Sequence, residues 1–275
     1  MTDVAAYFAR IGYTGPTTAT LETLHAIVAA HNGAIPFENL DPLMGIPVAD
    51  LGSAALADKL VHRRRGGYCY EQNGLLGYAL AELGFGVERL GGRVVWMHTS
   101  DELPAQTHEA LSVTVPGADG PPWLVDVGFG GQTLTSPIRL EVDTVQPTRH
   151  EPYRVVEHGD TYVLQAQIRD QWQSLYIFTA RPVPPIDREV GSWYVSTHPK
   201  SGFVTGLSVS LITDDARWNL RGRNLAIHSA GDTERIRFAT AADVLDALTE
   251  RFGIDLADFG DGADLEARVS EVLDS

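Results

Sequence analysis

The chain contains one cysteine, and the residues around it restrict the fold more than any other stretch. The segment 62–73 reads HRRRGGYCYEQN. Gly66 and Gly67 disfavour regular structure immediately before Cys69, because glycine is the residue with the greatest conformational freedom. After Cys69, leucines recur at intervals of four and three residues, which is typical of a helix. The pattern therefore predicts that Cys69 lies at the N-terminus of a helix.

A thiol in that position would be reactive. The unpaired N–H groups and the positive dipole end of the helix favour the thiolate over the thiol, and so do the arginines that precede the glycine pair. The alternative is that Cys69 is a small buried hydrophobic residue, which is the usual role of a free cysteine. The flanking glycines and arginines favour the nucleophile.

Length and composition limit the class of protein. A chain of 275 residues with 44% hydrophobic and 21% charged residues is typical of a globular protein with two or three folding units. The single cysteine excludes an internal disulfide and a multi-cysteine zinc site, so we expect no metal. The net charge of −15 argues against a nucleic-acid partner. We find no signal peptide and no run of about 18 apolar residues, so we expect a cytoplasmic protein without a membrane partner.

The hydrophobic pattern changes twice along the chain. Up to about residue 85, apolar residues recur at helical spacing, and one of the predicted helices could be capped by Ser53. Between 86 and 185, short segments rich in β-branched and aromatic residues alternate with turns, which predicts an antiparallel sheet or barrel. The remaining residues predict strands at 203–213 and 236–238, followed by two helices. We therefore expect the α+β class.

Five strands are predicted in the middle part, at 87–97, 108–115, 123–127, 161–168 and 172–178. A proline-rich connector is predicted at 181–185, since proline disfavours both helix interiors and strand ladders. These boundaries divide the chain into a helical domain (1–85), a β-barrel domain (86–185) and an α/β domain (186–275).

Two residues in the predicted strands could serve a reactive cysteine. His108, one of nine histidines, begins a strand in which Leu111, Val113 and Val115 form the apolar face, so it lies on the opposite face beside small residues. Asp126 lies in an apolar strand, where burial of its carboxylate costs free energy unless the charge is paired. Pairing with the imidazole would orient His108, and pairing with an arginine is the alternative. A hairpin with Val115 opposite Trp123 would leave the two residues too far apart, so a bulge or another strand partner would be needed.

The motif GFGGQT at 128–133 is a glycine-rich turn that follows this strand. The backbone at Gly128, Gly130 and Gly131 could approach a phosphate closely. The motif lacks the lysine of a P-loop, and an ordinary turn explains it equally well.

Three motifs give the chain a family resemblance. The chain resembles the arylamine N-acetyltransferase family in the order and spacing of RGGYC at 65–69, TH at 107–108 and LVDVGFG at 124–130. It is most similar to the mycobacterial and related actinobacterial members of that family. The motif IPFENL at 35–40 and the run from SWY at 192–194 to TDD at 213–215 extend the likeness over nearly the whole chain.

The resemblance implies a catalytic triad of Cys69, His108 and Asp126, similar to that of cysteine proteases. It implies a ping-pong reaction in which acetyl-CoA acylates Cys69 and an arylamine, arylhydrazine or N-hydroxyarylamine then accepts the acetyl group. It also implies that residues 186–275 act as a lid that helps to form the coenzyme A site.

Further residues follow from the same resemblance. It places Phe37, Phe129 and Phe203 against the aromatic substrate, although phenylalanines are more often core residues. It places the glycine turn, with Gly128, Gly130 and Gly131, at the cofactor. Finally, it implies a structural charge network of Arg10, Glu38 and Arg65 near the cysteine, for which solvated charges are the alternative.

Residue types alone leave two other functions open. The same triad serves papain-like peptidases and transglutaminases, so a cysteine hydrolase is one alternative. A non-enzymatic small-molecule binding protein with an inert, buried Cys69 is the other. The sequence is compatible with a homo-oligomer and does not define the oligomeric state.

Overall fold

The structure, a computed structural model, describes residues 3–99, 102–229 and 231–273. Its α-helices are α1 (Val4–Ile11), α2 (Leu21–Ala34), α3 (Leu40–Leu43), α4 (Ser53–Ala57), α5 (Cys69–Glu82), α6 (Pro185–Thr197), α7 (Gly202–Thr205), α8 (Ala241–Glu250) and α9 (Ala263–Val272). A π-helical turn, Asp58–His62, extends α4, and a 3₁₀ turn, Ala257–Phe259, precedes α9. Its strands are β1 (Phe37–Glu38), β2 (Gly86–Val94), β3 (Gln106–Thr114), β4 (Trp123–Val125), β5 (Ile138–Arg139), β6 (Tyr153–His158), β7 (Thr161–Ile168), β8 (Gln171–Pro182), β9 (Ser208–Ile212), β10 (Ala216–Arg221), β11 (Asn224–Ser229) and β12 (Asp232–Arg237).

Helices make up most of the first 85 residues, as the spacing of apolar residues predicts. Asp3 and Thr20 cap α1 and α2 by accepting hydrogen bonds from backbone N–H groups of the first turn, at 3.0 and 3.2 Å. Ser53 does not cap α4, contrary to the prediction. It is the first residue inside the helix, and Gly52 occupies the capping position.

A seven-stranded antiparallel sheet forms the middle of the chain, in the order β5-β4-β3-β2-β8-β7-β6. Single bridges from Val142 and Gln146, just after β5, reach β6 and bring the two edges of the sheet together. The sheet therefore nearly closes into a barrel, and the fold is of the predicted α+β class. The predicted connector at 181–185 is wrong in part, because β8 continues through Pro182 and α6 begins at Pro185. Proline is well tolerated at position 185, the first residue of α6, because N–H groups in the first turn of a helix have no partner within the helix.

The second sheet joins the two ends of the chain. Its order is β1-β9-β10-β11-β12, and β1 belongs to the predicted helical part. The predicted strand 203–213 is wrong in its first half, because Gly202–Thr205 is helical and β9 begins at Ser208. Ser201 caps this short helix by accepting a hydrogen bond from the N–H of Phe203 (3.2 Å), a local interaction that apolar periodicity does not reveal.

Apolar side chains form three buried cores. The first lies between the N-terminal helices and one face of β3 and β4, and includes Leu24 and Val125. The second lies between the five-stranded sheet and α8 and α9, and also contains Leu40 from α3. The third, with Leu164, fills the seven-stranded sheet. The division at 85 and 185 stays a prediction, since β1 and α3 pack with the C-terminal part of the chain. None of the helices in the described ranges is long and apolar enough to cross a membrane.

A cluster of buried ion pairs lies beneath the start of α5. Arg65, which is 1% exposed, contacts Glu38 and Asp41, each at 2.8 Å. Lys59 contacts the other carboxylate oxygen of Asp41 at 2.7 Å and Glu71 at 2.6 Å. The charges are therefore buried and paired, and the solvated alternative is wrong for this cluster.

The predicted network of Arg10, Glu38 and Arg65 is wrong in one member, Arg10, and lacks Asp41, Lys59 and Glu71. Arg10 donates hydrogen bonds to the carbonyl oxygens of Leu60 (3.0 Å) and Ala34 (2.7 Å) and so supports the backbone. The C-terminal part of the chain supplies further partners of Arg65. The Arg65 guanidinium contacts Asp258 at 3.3 Å and lies 4.5 Å from the ring centre of the neighbouring Phe259. The cluster thus ties the C-terminal part to the segment before Cys69.

We expect Glu38→Gln to lower the free energy of unfolding by about 3 kcal/mol, because it leaves a buried guanidinium short of a carboxylate. Chemical denaturation measures this loss. Glu271→Gln is the matched control, since it breaks an ion pair with Arg268 (2.8 Å) in which Glu271 is exposed and Arg268 is partly exposed to solvent. Equal losses in the two variants would contradict the importance of the buried cluster.

Candidate active site

Cys69 is the first residue of α5, as the flanking residues predict. The carboxylate of Glu71 accepts a hydrogen bond from the N–H of Tyr68 (3.1 Å), which fixes the start of the helix. The thiol residue is 4% exposed, and its sulfur lies 3.7 Å from the carbonyl oxygen of Thr107, the residue before His108. The cysteine is therefore buried at the positive end of a helix and beside β3.

Two of the three arginines before Cys69 do not act as the sequence suggests. Arg65 is balanced by carboxylates of the buried cluster. Arg63 pairs with Asp58 at 2.9 Å and with Asp258 at 2.7 Å. Because the charges of Arg63 and Arg65 are already matched, the influences that the structure places at the sulfur are the helix end and the nearby imidazole.

His108 and Asp126 form a buried pair. The Nε2 atom of His108 lies 2.7 Å from Oδ2 of Asp126, and the residues are 3% and 1% exposed. Asp126 is thus paired with a histidine, and the arginine alternative is wrong. With Nε2 occupied by the carboxylate, Nδ1 is the ring nitrogen left for the sulfur of Cys69.

The register of β3 and β4 brings the pair together. Trp123 pairs with Val113, where the register considered from the sequence has Val115. This shift moves Asp126 two residues nearer to His108 on the same face of the sheet. Neither a bulge between these strands nor another strand partner is needed, so that expectation is wrong.

Each member of the pair stabilises the charge of the other. Burial lowers the pKa of His108, but the charge and hydrogen bond of Asp126, together with the nearby Cys69, outweigh it and raise the pKa to about 10. Burial raises the pKa of Asp126, but His108 and hydrogen bonds from Asn73 and the N–H of Gly128 outweigh it and hold the pKa below its usual range. An imidazolium and a carboxylate therefore coexist at neutral pH.

Sequence reasoning missed two neighbours of this pair. Asn73 donates a hydrogen bond to Oδ1 of Asp126 (2.9 Å), and the ring of Tyr176 lies 4.7 Å from the imidazole ring. The spacing of Asn73, four residues after Cys69 on the same helix, was the available signal. Tyr176 had no such signal, since β8 reaches β3 only through β2.

The three predicted phenylalanines lie on two sides of the site. The ring of Phe129 is 5.2 Å from the imidazole of His108. Phe37 and Phe203 lie 5.7 Å from each other, and Phe203 lies 5.4 Å from Tyr68, which precedes the cysteine. Their contact with a substrate stays a prediction.

Each predicted glycine has a structural reason. A Cβ atom at Gly128 would lie 2.5 Å from the Cα atom of Cys69, so only glycine lets the chain pass the nucleophile this closely. Gly130 adopts a left-handed conformation, with φ of 81°. A Cβ atom at Gly131 would lie 1.9 Å from the side-chain oxygen of Asn219. Contact of the three glycines with a cofactor stays a prediction.

The arrangement defines a class of protein. A cysteine at a helix N-terminus, next to a histidine that a carboxylate orients, is typical of enzymes that use cysteine as a nucleophile. In the part of the chain that the structure describes, no group of three or more His, Cys, Asp or Glu side chains is placed to hold a metal ion.

Comparisons with known proteins narrow this class. A family model described as N-acetyltransferase matches residues 20–260. The chain is 69% identical over 274 residues to an arylamine N-acetyltransferase of Mycolicibacterium smegmatis, covering 99% of each, and 61% identical over 272 residues to one of Mycobacterium tuberculosis, covering 98% of this chain and 96% of the relative.

Solved structures agree with these sequence matches. The M. smegmatis arylamine N-acetyltransferase has a TM-score of 0.97 at 68% identity, with all of both chains covered. The Mycobacterium marinum arylamine N-acetyltransferase in complex with CoA has a TM-score of 0.96 at 59% identity, covering 98% of this chain and 99% of that one. The chain belongs to the arylamine N-acetyltransferase family, which confirms the resemblance of its motifs.

We expect Cys69 to react rapidly with iodoacetamide at neutral pH and appreciably in mild acid, because the imidazolium of His108, with its raised pKa, favours the thiolate. Alkylation rate against pH, followed by intact mass, measures this. His108→Ala should move the profile upward towards an ordinary thiol. A native profile that rises only near pH ~8.5, as for a free thiol, would contradict the thiolate–imidazolium pair.

Gly128→Ala should cost about 1–3 kcal/mol of stability and slow the alkylation of Cys69, because the added methyl group meets backbone that cannot move aside. Denaturation and alkylation of the same sample measure both effects. Gly202→Ala is the control, since a Cβ atom there meets no atom within 4 Å. A Gly128→Ala protein that matches this control would show that the close approach to Cys69 is not required.

Proposed function

We propose that this chain is an acyl-CoA-dependent enzyme that transfers an acetyl group from acetyl-CoA to arylamines, arylhydrazines or N-hydroxyarylamines. The observation that carries the proposal is the placement of Cys69 at a helix end beside the His108–Asp126 pair, in a chain 69% identical to a named arylamine N-acetyltransferase over nearly its whole length. The solved relative in complex with CoA supports coenzyme A as the carrier of the donor. These findings favour the transferase over the hydrolase and the inert binding protein.

In the first half of the reaction, the Cys69 thiolate attacks the thioester carbonyl carbon of acetyl-CoA. A new bond forms between this carbon and the cysteine sulfur, and the bond to the sulfur of coenzyme A breaks. The His108 imidazolium gives its proton to the departing thiolate. The enzyme is left as an acetyl thioester with a neutral imidazole.

In the second half, the nitrogen of the acceptor attacks the acetyl thioester. The neutral imidazole of His108 accepts a proton from this nitrogen, and the bond between the acetyl carbon and Cys69 breaks. The thiolate and the imidazolium are thereby restored. Asp126 orients the ring and balances its charge in both halves, which is the role of the third triad member.

The N–H of Cys69 is the oxyanion donor we assign. As the first helical residue, it has no acceptor within the helix. Its dipole points out of the positive helix end, where negative charge develops on the thioester oxygen.

Coenzyme A carries phosphate groups, and two backbone N–H groups of the glycine turn are available to bind a phosphate. The N–H groups of Gly128 and Phe129 are taken by Asp126 (2.9 Å) and the Thr133 hydroxyl (3.2 Å). Within the described ranges, no hydrogen bond engages the N–H groups of Gly130 and Gly131. These two amides would bind an anionic group, and Gly128 would serve by its close packing.

The remaining assignments rest on the family. Phe129 would hold the acceptor ring from the imidazole side, and Phe37 and Phe203 from the side of Tyr68. The lid role of residues 186–275, the cytoplasmic location, the homo-oligomer and the absence of a nucleic-acid partner stay predictions.

Incubation with acetyl-CoA and no acceptor should raise the intact mass by one acetyl group, since the thiolate of Cys69 is acylated before the acceptor reacts. Addition of an arylamine should return the original mass and release the acetylated amine. Cys69→Ser should remain unmodified. An unchanged mass in the native enzyme would contradict the proposal, and loss of the acetyl group to water at the same rate with or without amine would favour the hydrolase.

A further inference from the structure

We propose that Asn73 is a positioning residue that holds the carboxylate of Asp126 in place for His108 and does so from the helix that carries Cys69. The inference rests on the function proposed above for this site.

Asn73 contacts the chain next to both members of the pair. Its side chain is fully buried. Its Nδ2 atom donates hydrogen bonds to Oδ1 of Asp126 (2.9 Å) and to the carbonyl oxygen of Glu109 (2.6 Å), the residue after His108. Its Oδ1 atom accepts a hydrogen bond from the N–H of Val127 (3.0 Å), the residue after Asp126. One amide therefore joins the ends of β3 and β4 at the site.

The chemistry of these partners fixes the orientation of the amide. The N–H of Val127 can only donate, so the carbonyl end of Asn73 must face it. The amide nitrogen then faces two acceptors, the carboxylate of Asp126 and the carbonyl of Glu109, and both of its hydrogens are used. A flipped amide would lose all three bonds, so the side chain has one favourable position.

Asn73 also completes the hydrogen bonding of Asp126. Oδ2 of Asp126 pairs with His108, while Oδ1 accepts from Asn73 and from the N–H of Gly128 (2.9 Å). With both oxygens engaged, the carboxylate cannot rotate. Without Asn73, one backbone N–H would hold Oδ1, and the orientation of the imidazole would depend on a looser group.

The position of Asn73 links the pair to the nucleophile. Residues four apart on a helix lie on the same face, one turn from each other, so Asn73 follows Cys69 along the side of α5 that faces the sheet. A Cβ atom at Gly128 would lie 2.5 Å from Cys69 and 2.8 Å from Asn73, which shows how closely the chain packs there. Any shift of α5 against the sheet would therefore move the sulfur and the carboxylate together.

Asn73→Ala tests this role, with Asn32→Ala as the matched control. Asn32 is also a buried asparagine, and it donates one hydrogen bond to the carbonyl oxygen of Leu134 (3.2 Å). We expect Asn73→Ala to slow single-turnover acylation of Cys69 by acetyl-CoA about 100-fold, the size of effect seen when reacting groups are misplaced by about 1 Å. It should also shift the pH profile of Cys69 alkylation upward, because a loosely held carboxylate favours the imidazolium less. Asn32→Ala should change neither.

Asn73→Asp gives a signature that a purely structural role would not. At neutral pH the new carboxylate cannot donate to Asp126 and repels it, so acylation should be slow. As the pH falls and the two carboxyl groups share a proton, an O–H group can donate to Asp126 again. The acylation rate relative to the native enzyme should therefore rise in acid.

The outcomes separate this inference from the proposed function. A folded Asn73→Ala protein with the native acylation rate and alkylation profile would overturn the positioning role. If Asn73→Ala does not fold, Asn73→Asp decides, and the absence of relative recovery in acid would overturn it. If the native enzyme is not acylated at all, the proposed function fails, while the alkylation profiles still test Asn73.

Discussion

The close packing of the first turn of α5 against the ends of β3 and β4 is the constraint on which the site depends. The strands supply a histidine and a carboxylate, and the helix supplies the sulfur, so the reaction needs the two elements in contact to within a fraction of an ångström. Gly128 permits this contact because a side chain there would overlap the backbone of Cys69. Asn73 then crosses the contact with hydrogen bonds to Glu109 in β3 and to Val127, two residues after the end of β4.

The buried charges beneath α5 serve the backbone before Cys69. The carboxylate of Glu71 accepts a hydrogen bond from the N–H of Tyr68, and that of Glu38 accepts one from the N–H of Leu40 (2.6 Å). Carboxylates are costly to bury, and burial raises the pKa of Glu71 to about 6 although Lys59 opposes the shift. Lysine and arginine are needed to balance them. Arg65 in the motif before Cys69 therefore has a structural role, and the helix end and His108 are the groups that favour the thiolate.

The C-terminal part of the chain reaches the site through the glycine turn. Arg217 of β10 donates hydrogen bonds to the carbonyl oxygens of Gly131 (3.1 Å) and Thr133 (3.0 Å) and pairs with Glu151 at 2.6 Å. The turn that follows Asp126 is thus held on one side by the helix of the nucleophile and on the other by the second sheet. This explains how residues distant in sequence stabilise the conformation that presents Phe129 to His108.

The sequence by itself determined what depends on neighbouring residues. Helical spacing after a glycine pair placed Cys69 at a helix start, and strand alternation placed His108 on the face opposite Leu111 and Val113, because both patterns report which side of an element a residue occupies. The motifs and their order identified the family. Periodicity could not supply the register that brings Asp126 to His108, because a shift of two residues leaves every side chain on the same face. Nor could it supply the carboxylates that neutralise Arg65 or the distant strand that pairs with β1. These are long-range contacts, and only the packing of complete elements against one another decided them.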